Sequence, residues 1–199
     1  MNIVLAIVAG YLLGSIPFAY LAGKLRGIDI RTVGSKNVGA TNVFRSLGKG
    51  TGFAVMGADI AKGLIAALIA LALTDAPWPL FAGAAAILGH VFPVWLRFKG
   101  GKGVAVGGGV VLGLMPLTVL VLAVVFVAIV GVTRFVSLGS IAVALAFTPL
   151  TLLFDEPWAN VVFAAAASVF VLAKHRANIG RLWRKEELRL DFSRSKKAG

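Results

Sequence analysis

Cysteine is absent from the 199 residues, which excludes disulfide bridges and thiolate chemistry. Acidic residues are scarce, with eight Asp and Glu against 20 Lys and Arg. Histidine occurs only at His90 and His175, too few and too far apart in the chain for a histidine-rich metal site. With so few acidic residues and histidines, neither a bound metal nor a cofactor is expected. Gly-x-Ser-x-Gly is missing as well, which leaves a serine acyl-enzyme without local support. Charge of either sign is low at 14%, while 59% of the residues are apolar. A soluble domain runs nearer 45–50% apolar and about 25% charged. A soluble enzyme, a disordered tail and a disulfide-rich scaffold are therefore all excluded. What is abundant is glycine, with 24 residues, and hydropathy, with a mean of +0.93. This is the composition of a polytopic membrane protein.

Apolar segments run over Ile3–Leu25, Phe53–Leu73, Trp78–Leu96, Val104–Gly131, Phe135–Phe154 and Trp158–Ala173. The first lacks a positively charged leader and is long enough to span, so it reads as a transmembrane helix and not a cleaved signal. The fourth contains Gly107-Gly108-Gly109, Gly113 and Pro116, and is either one long kinked helix or a pair broken around 113–116. Charge decides between them. With a break there and the N-terminus outside, nineteen of the twenty cations lie on the cytoplasmic side. These are Lys24, Arg26, Arg31, Lys36, Arg45 and Lys49, then Arg97, Lys99 and Lys102, then Arg134, and nine from Lys174 to Lys197; Lys62 alone lies within a span. Asp75, Asp155 and Glu156 fall outside. Six spans would put ten cations on the wrong face. The positive-inside bias thus predicts an all-α membrane protein of seven transmembrane helices, with the C-terminus cytoplasmic. Val104–Leu114 rises only about 16 Å as a helix, so the fourth and fifth elements are expected to be short. The chain reads as a single membrane domain over 1–199, with a cytoplasmic loop at 26–52 and a basic cytoplasmic tail at 174–199.

Within the loop, Ala40, Val43, Phe44 and Leu47 recur at helical spacing, predicting a short interfacial helix with Ser35 or Asn37 as its cap and Gly48 at its end. The tail over Ile179–Phe192 mixes apolar residues with Arg and Lys and predicts a basic surface helix on anionic lipid.

Three polar clusters could carry chemistry. Gly34-Ser35-Lys36-Asn37-Val38-Gly39-Ala40-Thr41-Asn42 precedes Arg45, and small and hydroxyl residues before a helix N-terminus leave backbone N–H groups for an anion, while the guanidinium can clamp a second one. Phe98-Lys99-Gly100-Gly101-Lys102-Gly103 lets backbone approach a phosphate closely, with an ammonium beside it; its spacing is not that of a Walker A loop. His175-Arg176-Ala177-Asn178 places a potential base three residues from an amide, on one face if the helix continues. Ser140 sits about one turn inside its span and could face the same pocket, although back-bonding within the helix is the simpler role. Asp59 and Lys62 share a helical face as a neutralising intramembrane pair, and His90 reads as a hydrogen-bonded packing residue.

Together these stretches resemble the bacterial acyl-phosphate-dependent glycerol-3-phosphate acyltransferases, the PlsY family. The matching residues are 34–45, Asp59-Ile60-Ala61-Lys62-Gly63, Gly89-His90-Val91-Phe92-Pro93, 98–105 and His175-Arg176-Ala177-Asn178-Ile179. They occur in family order, and the likeness extends from Gly14 to about Glu187. In the tail the family tends to place Gly before Glu, whereas this chain has Lys185 and then Glu187, whose role is open. The resemblance implies acyl transfer from acyl phosphate to the 1-hydroxyl of glycerol 3-phosphate, giving 1-acyl-glycerol 3-phosphate and phosphate at the cytoplasmic face of the bacterial inner membrane. It implies that Ser35, Arg45, Lys102, Ser140, His175 and Asn178 surround the substrates and that Gly100, Gly101 and Gly103 form the glycerol 3-phosphate loop, with Asn37, Thr41 and Asn42 nearby. His175 or a substrate phosphate oxygen would take the proton.

The chemistry is compatible with this: two phosphate-bearing substrates need cations, hydroxyls and amides, and few carboxylates. Membrane lipids are the expected surroundings; no nucleic acid and no obligatory protein partner is expected. A transporter would hold its site near the midplane, whereas these clusters lie at one face. A coenzyme-A-dependent acyltransferase lacks its usual His-x-x-x-x-Asp, since Trp95 and Gly180 stand five residues after His90 and His175.

Overall fold

The structure, a computed structural model, describes residues 1–191. Among them every regular element is helical: α1 Asn2–Ser15, α2 Phe18–Lys24, α3 Ala40–Leu47, α4 Lys49–Leu73, α5 Trp78–Val91, a 3₁₀ turn Val94–Leu96, α6 Val104–Leu114, α7 Pro116–Thr133, α8 Val136–Leu153, α9 Trp158–Lys174 and α10 Arg176–Trp183. Five segments are long and apolar enough to cross a membrane, with α1 and α2 counted as one; α9 and α10, bent by 57° at His175, make a sixth if taken as one span. Two compact units are distinguished, one built on Met1–Gly113 and one on Leu114–Leu190.

In the first unit α1, α4 and α5 pack against one another, with α2 and α3 lying against α4. Small residues make these contacts close. A Cβ added at Gly10 or Gly14 would run into the carbonyls of Ala82 or Ala86, and one at Gly89 into that of Tyr11. The α4 and α6 backbones meet in the same way, Gly63 against Val106 and Gly109 against Ile60. Lipid offers no hydrophobic drive between helices, so contact between backbones is the means by which such spans associate. Tyr11 adds a hydrogen bond from its hydroxyl to the Phe92 carbonyl at 2.9 Å.

The expected single first helix is interrupted at Ile16–Pro17, because proline cannot continue the ladder. There the Ile16 carbonyl accepts the Lys62 ammonium at 2.8 Å. Helix α3 begins where the periodicity predicts and buries Val43 and Phe44, with Phe44 edge-on to Phe53 of α4. Its N-cap is Gly39 without a side-chain bond, so neither Ser35 nor Asn37 caps it; Asn42 organises the loop instead. Gly48, at φ 101°, ends it as expected.

In the second unit α8 packs between α7 and α9. The break after Gly113 falls at Met115, with Pro116 opening α7, where its missing N–H costs nothing. Helix α7 has 18 residues, about 27 Å of rise, so the fifth element is not short; α6, with 11 residues, is. The basic tail departs from the single helix expected over 179–192. Helix α10 ends at Trp183, Lys185 turns left-handed at φ 60°, and the following residues are irregular. The helix bends away because Glu187 is claimed by side chains of α8 and α10, and the Leu190 N–H donates to the Arg134 carbonyl at 2.8 Å. Phe192, Arg194, Lys196 and Lys197, which belong to the expected basic tail, lie outside the described residues.

Candidate functional site

The loop before α3 is shaped around one buried amide. Asn42 is 1% exposed. Its Oδ1 accepts the Ser35 N–H at 2.9 Å, and its Nδ2 lies within 3.1 Å of the carbonyls of Ile30, Val33 and Asn37. Gly34 is left-handed at φ 57°, and a Cβ there would overlap Asn42 Oδ1, so glycine is required on both counts. The side chain of Asn42 thus braces the loop. Ser35 is exposed on this loop, with Asn37, Thr41 and Arg45 partly buried along it and on α3. Near the entrance of the loop Asp29 accepts the Arg31 guanidinium at 2.7 Å. Those side-chain bonds, with the Arg31 N–H, lower the Asp29 carboxyl to about 2.

The glycine loop is laid back on the end of α5. Gly100 N–H donates to the Val91 carbonyl at 3.0 Å and Gly101 N–H to the His90 carbonyl at 3.1 Å. Gly103 is left-handed at φ 86° and α6 begins at the next residue, so the first-turn amides of α6 follow directly on Lys102 and Gly103. A glycine loop running into a helix N-terminus, with a lysine in it, is chemically suited to a phosphate.

Beneath the loop lies the buried charge cluster. Lys62 Nζ is 2.9 Å from Asp59 Oδ1, with the two side chains 3% and 2% exposed, and 3.1 Å from His90 Nδ1. The intramembrane pair read from the i, i+3 spacing is present, and His90 is joined to it. An ammonium can only donate, so Nδ1 of His90 is the acceptor and the ring proton sits on Nε2. A cavity of about 10 Å³ borders Ser15, Asp59, His90 and Gly100, room for about one water.

The second unit holds the remaining candidates. His175 caps α10 and is buried, with Nδ1–H donating to the Val171 carbonyl at 2.8 Å. A carbonyl can only accept, so Nδ1 carries a proton. The bend at His175 means that His175 and Asn178 do not share one continuous helix, although both are buried. Asn178 Nδ2 donates to Glu187 Oε1 at 2.6 Å, Ser137 Oγ to the same oxygen at 2.8 Å, and Arg181 Nε to Oε2 at 2.7 Å. Burial pushes the Glu187 carboxyl up, but these three bonds and the Arg181 charge outweigh it and hold it below the ordinary 4.5. Glu187 is thus the hub that locates Asn178. Ser140 is 2% exposed and donates to the Val136 carbonyl at 2.9 Å, so its hydroxyl is left only as an acceptor. The sequence reading missed Ser137 altogether. No spacing rule links it to Glu187, fifty residues on.

Residues 4–185 match the family model described as glycerol-3-phosphate acyltransferase. A glycerol-3-phosphate acyltransferase of Bacillus cytotoxicus is 44% identical over 97% of this chain and 98% of its own. One of Bacillus velezensis is 44% identical over 96% and 100%. Among solved structures, the glycerol 3-phosphate form of PlsY, an integral membrane glycerol 3-phosphate acyltransferase, is 39% identical, covers 96% of each chain and superposes with a TM-score of 0.92. The lysophosphatidic acid form is 38% identical, with a TM-score of 0.89 and the same coverage.

Proposed function

The chain belongs to the glycerol-3-phosphate acyltransferase family, and from that premise we propose that it moves a fatty acyl group from acyl phosphate to the 1-hydroxyl of sn-glycerol 3-phosphate. The products are 1-acyl-sn-glycerol 3-phosphate and inorganic phosphate, the entry to phospholipid synthesis. The reading rests above all on the Gly100–Gly103 loop. It joins close-packed glycines, Lys102 and the first-turn amides of α6, which is the donor set a phosphate monoester takes up.

An acyl phosphate is already activated, so catalysis needs positioning and charge stabilisation more than a covalent intermediate. The acceptor hydroxyl attacks the acyl carbonyl carbon, forming the new ester C–O bond as the bond from that carbon to the phosphate oxygen breaks. The hydroxyl proton has two candidate acceptors, the imidazole of His175 and a phosphate oxygen of a substrate. Arg45 and Lys102 balance the negative charge of the departing phosphate. Ser35, Asn37 and Thr41 offer hydroxyl, amide and backbone donors to the substrates, Asn178 is oriented by Glu187, and Ser140 contributes as an acceptor.

For topology we infer seven spans, with the N-terminus outside and the reacting groups on the cytoplasmic side of the bacterial inner membrane. The support is the one-sided distribution of nineteen cations. An active site at that face lets the acyl chain remain in the bilayer while both phosphates meet the cytosol.

The test is a donor comparison with purified protein, palmitoyl phosphate against palmitoyl-CoA, with glycerol 3-phosphate as acceptor. Turnover with the phosphate alone is expected, and turnover with only the thioester would overturn the donor assignment. Release of one equivalent of phosphate without acceptor would overturn direct attack.

A further inference from the structure

The buried cluster of Asp59, Lys62 and His90 takes no part in the chemistry above, although charges inside a membrane protein are costly to keep. Its surroundings supply a reason. After α5 the chain turns at Val94–Leu96 and returns, so that Gly100 and Gly101 hang from the carbonyls of Val91 and His90. The imidazole of His90 faces the same loop. A Cβ built on Gly101 would overlap His90 Nε2 and would lie 2.7 Å from the carbonyl oxygen of Val38. One point therefore brings together the glycine loop, the imidazole and the buried residue that leads into Gly39 and α3. The ring cannot turn freely there: Nδ1 accepts from Lys62 at 3.1 Å, Lys62 is held by Asp59 at 2.9 Å, and it is anchored on the Ile16 carbonyl at 2.8 Å.

We propose that His90, oriented by Lys62 and Asp59, is a positioning residue for the acceptor. It sets the spacing between the Gly100–Gly103 loop and the Val38–Thr41 segment, and through that spacing the fit of the phosphate of glycerol 3-phosphate. The proposal rests on the reading that this loop holds the acceptor phosphate. It also accounts for a lysine buried at the Ile16–Pro17 break: an ammonium anchored to Asp59 and a main-chain carbonyl is a rigid donor that admits one tautomer of the ring.

The test separates KM for the two substrates. His90→Phe keeps an aromatic ring, somewhat larger, but removes the acceptor for Lys62. It is expected to raise KM for glycerol 3-phosphate about tenfold, the scale of a sub-ångström misplacement, while KM for palmitoyl phosphate moves less than about twofold. Gly101→Ala presses a methyl against the same imidazole and is expected to copy that pattern. In a His90→Ala background the added methyl is relieved of the imidazole and meets only the Val38 carbonyl, so the two effects combine to less than their product, as for residues in direct contact. Thermal unfolding in detergent checks each variant. Should His90→Phe fail to fold, His90→Gln, which keeps an acceptor for Lys62, carries the same test with a smaller expected rise. Gly103→Ala strains the loop without touching His90, because its Cβ would meet only Ile87 and Val91. If Gly103→Ala raises KM for glycerol 3-phosphate and the His90 variants do not, or if they raise KM for both substrates alike, the positioning role is overturned and the loop assignment stands. If Gly103→Ala leaves that KM unchanged, the loop assignment falls, and the inference with it.

Discussion

Lys102, Asn42 and Glu187 serve different ends, and each has its own expected outcome. Lys102→Ala removes the charge proposed to stabilise a substrate phosphate, and losing one such donor costs about a hundredfold in kcat. Phosphate release from palmitoyl phosphate with glycerol 3-phosphate should fall by that order while the thermal midpoint stays close to the parent, and Lys102→Arg should recover part of the rate. Asn42→Ala takes their side-chain partner from the Ser35 N–H and the Ile30 carbonyl, and one of two donors from the carbonyls of Val33 and Asn37. Unsatisfied buried groups cost about 1–3 kcal/mol each, so here both activity and thermal midpoint should fall. Glu187 tests linkage. Its folded-state carboxyl is held below 4.5, so the stability it contributes is fully present above that value and is lost as pH falls through the folded-state value. The thermal midpoint should therefore drop on acidification below about pH 4.5, and Glu187→Gln, measured by the same melts, should flatten that drop. Of these three residues, only Lys102 was legible as a chemical group from the sequence. The bracing role of Asn42 was not legible, because its partners, the carbonyls of Ile30, Val33 and Asn37, become neighbours only when the loop closes.

Two helix boundaries followed from local chemistry, at a proline and at a left-handed glycine, whereas the break at Pro17 did not. Pro116 starts α7, and Gly48 ends α3. The tail helix was read too long because its sequence is amphipathic, and periodicity cannot register that Glu187 is bound elsewhere. Contact between helices was less legible still. Gly10 and Gly14 gave no signal of a partner, yet a Cβ at Gly14 would collide with the main chain of α5 at Ala86. Gly14→Leu must push α1 and α5 apart. It is expected to cost about 1–3 kcal/mol, the usual price of overpacking, and to lower the thermal midpoint and the yield of folded protein. Gly57, which has open space around its position, should accept alanine with little change, a control read by the same melts.

The whole chain is one in which charge and hydropathy carry orientation. The absence of cysteine makes that directly testable, since single introduced cysteines have no native background. Asp75→Cys and Asp155→Cys should react with a membrane-impermeant maleimide added outside intact cells, whereas Arg97→Cys, Arg134→Cys and Lys185→Cys should react only after permeabilisation. External labelling of Arg134→Cys would remove the seventh span and with it the sidedness assigned to the reacting groups.

Composition alone determined that the chain lives in a membrane, because 59% apolar residues have nowhere else to be buried. Charge asymmetry determined the expected sidedness, and ordered motifs determined the family, since all of these are properties of residue type and order. The tertiary structure decided what the polar residues do. Asn42 became a brace, Glu187 a hub, and His90 a support for the glycine loop, because each role depends on carbonyls and side chains that the chain path alone brings within hydrogen-bonding distance.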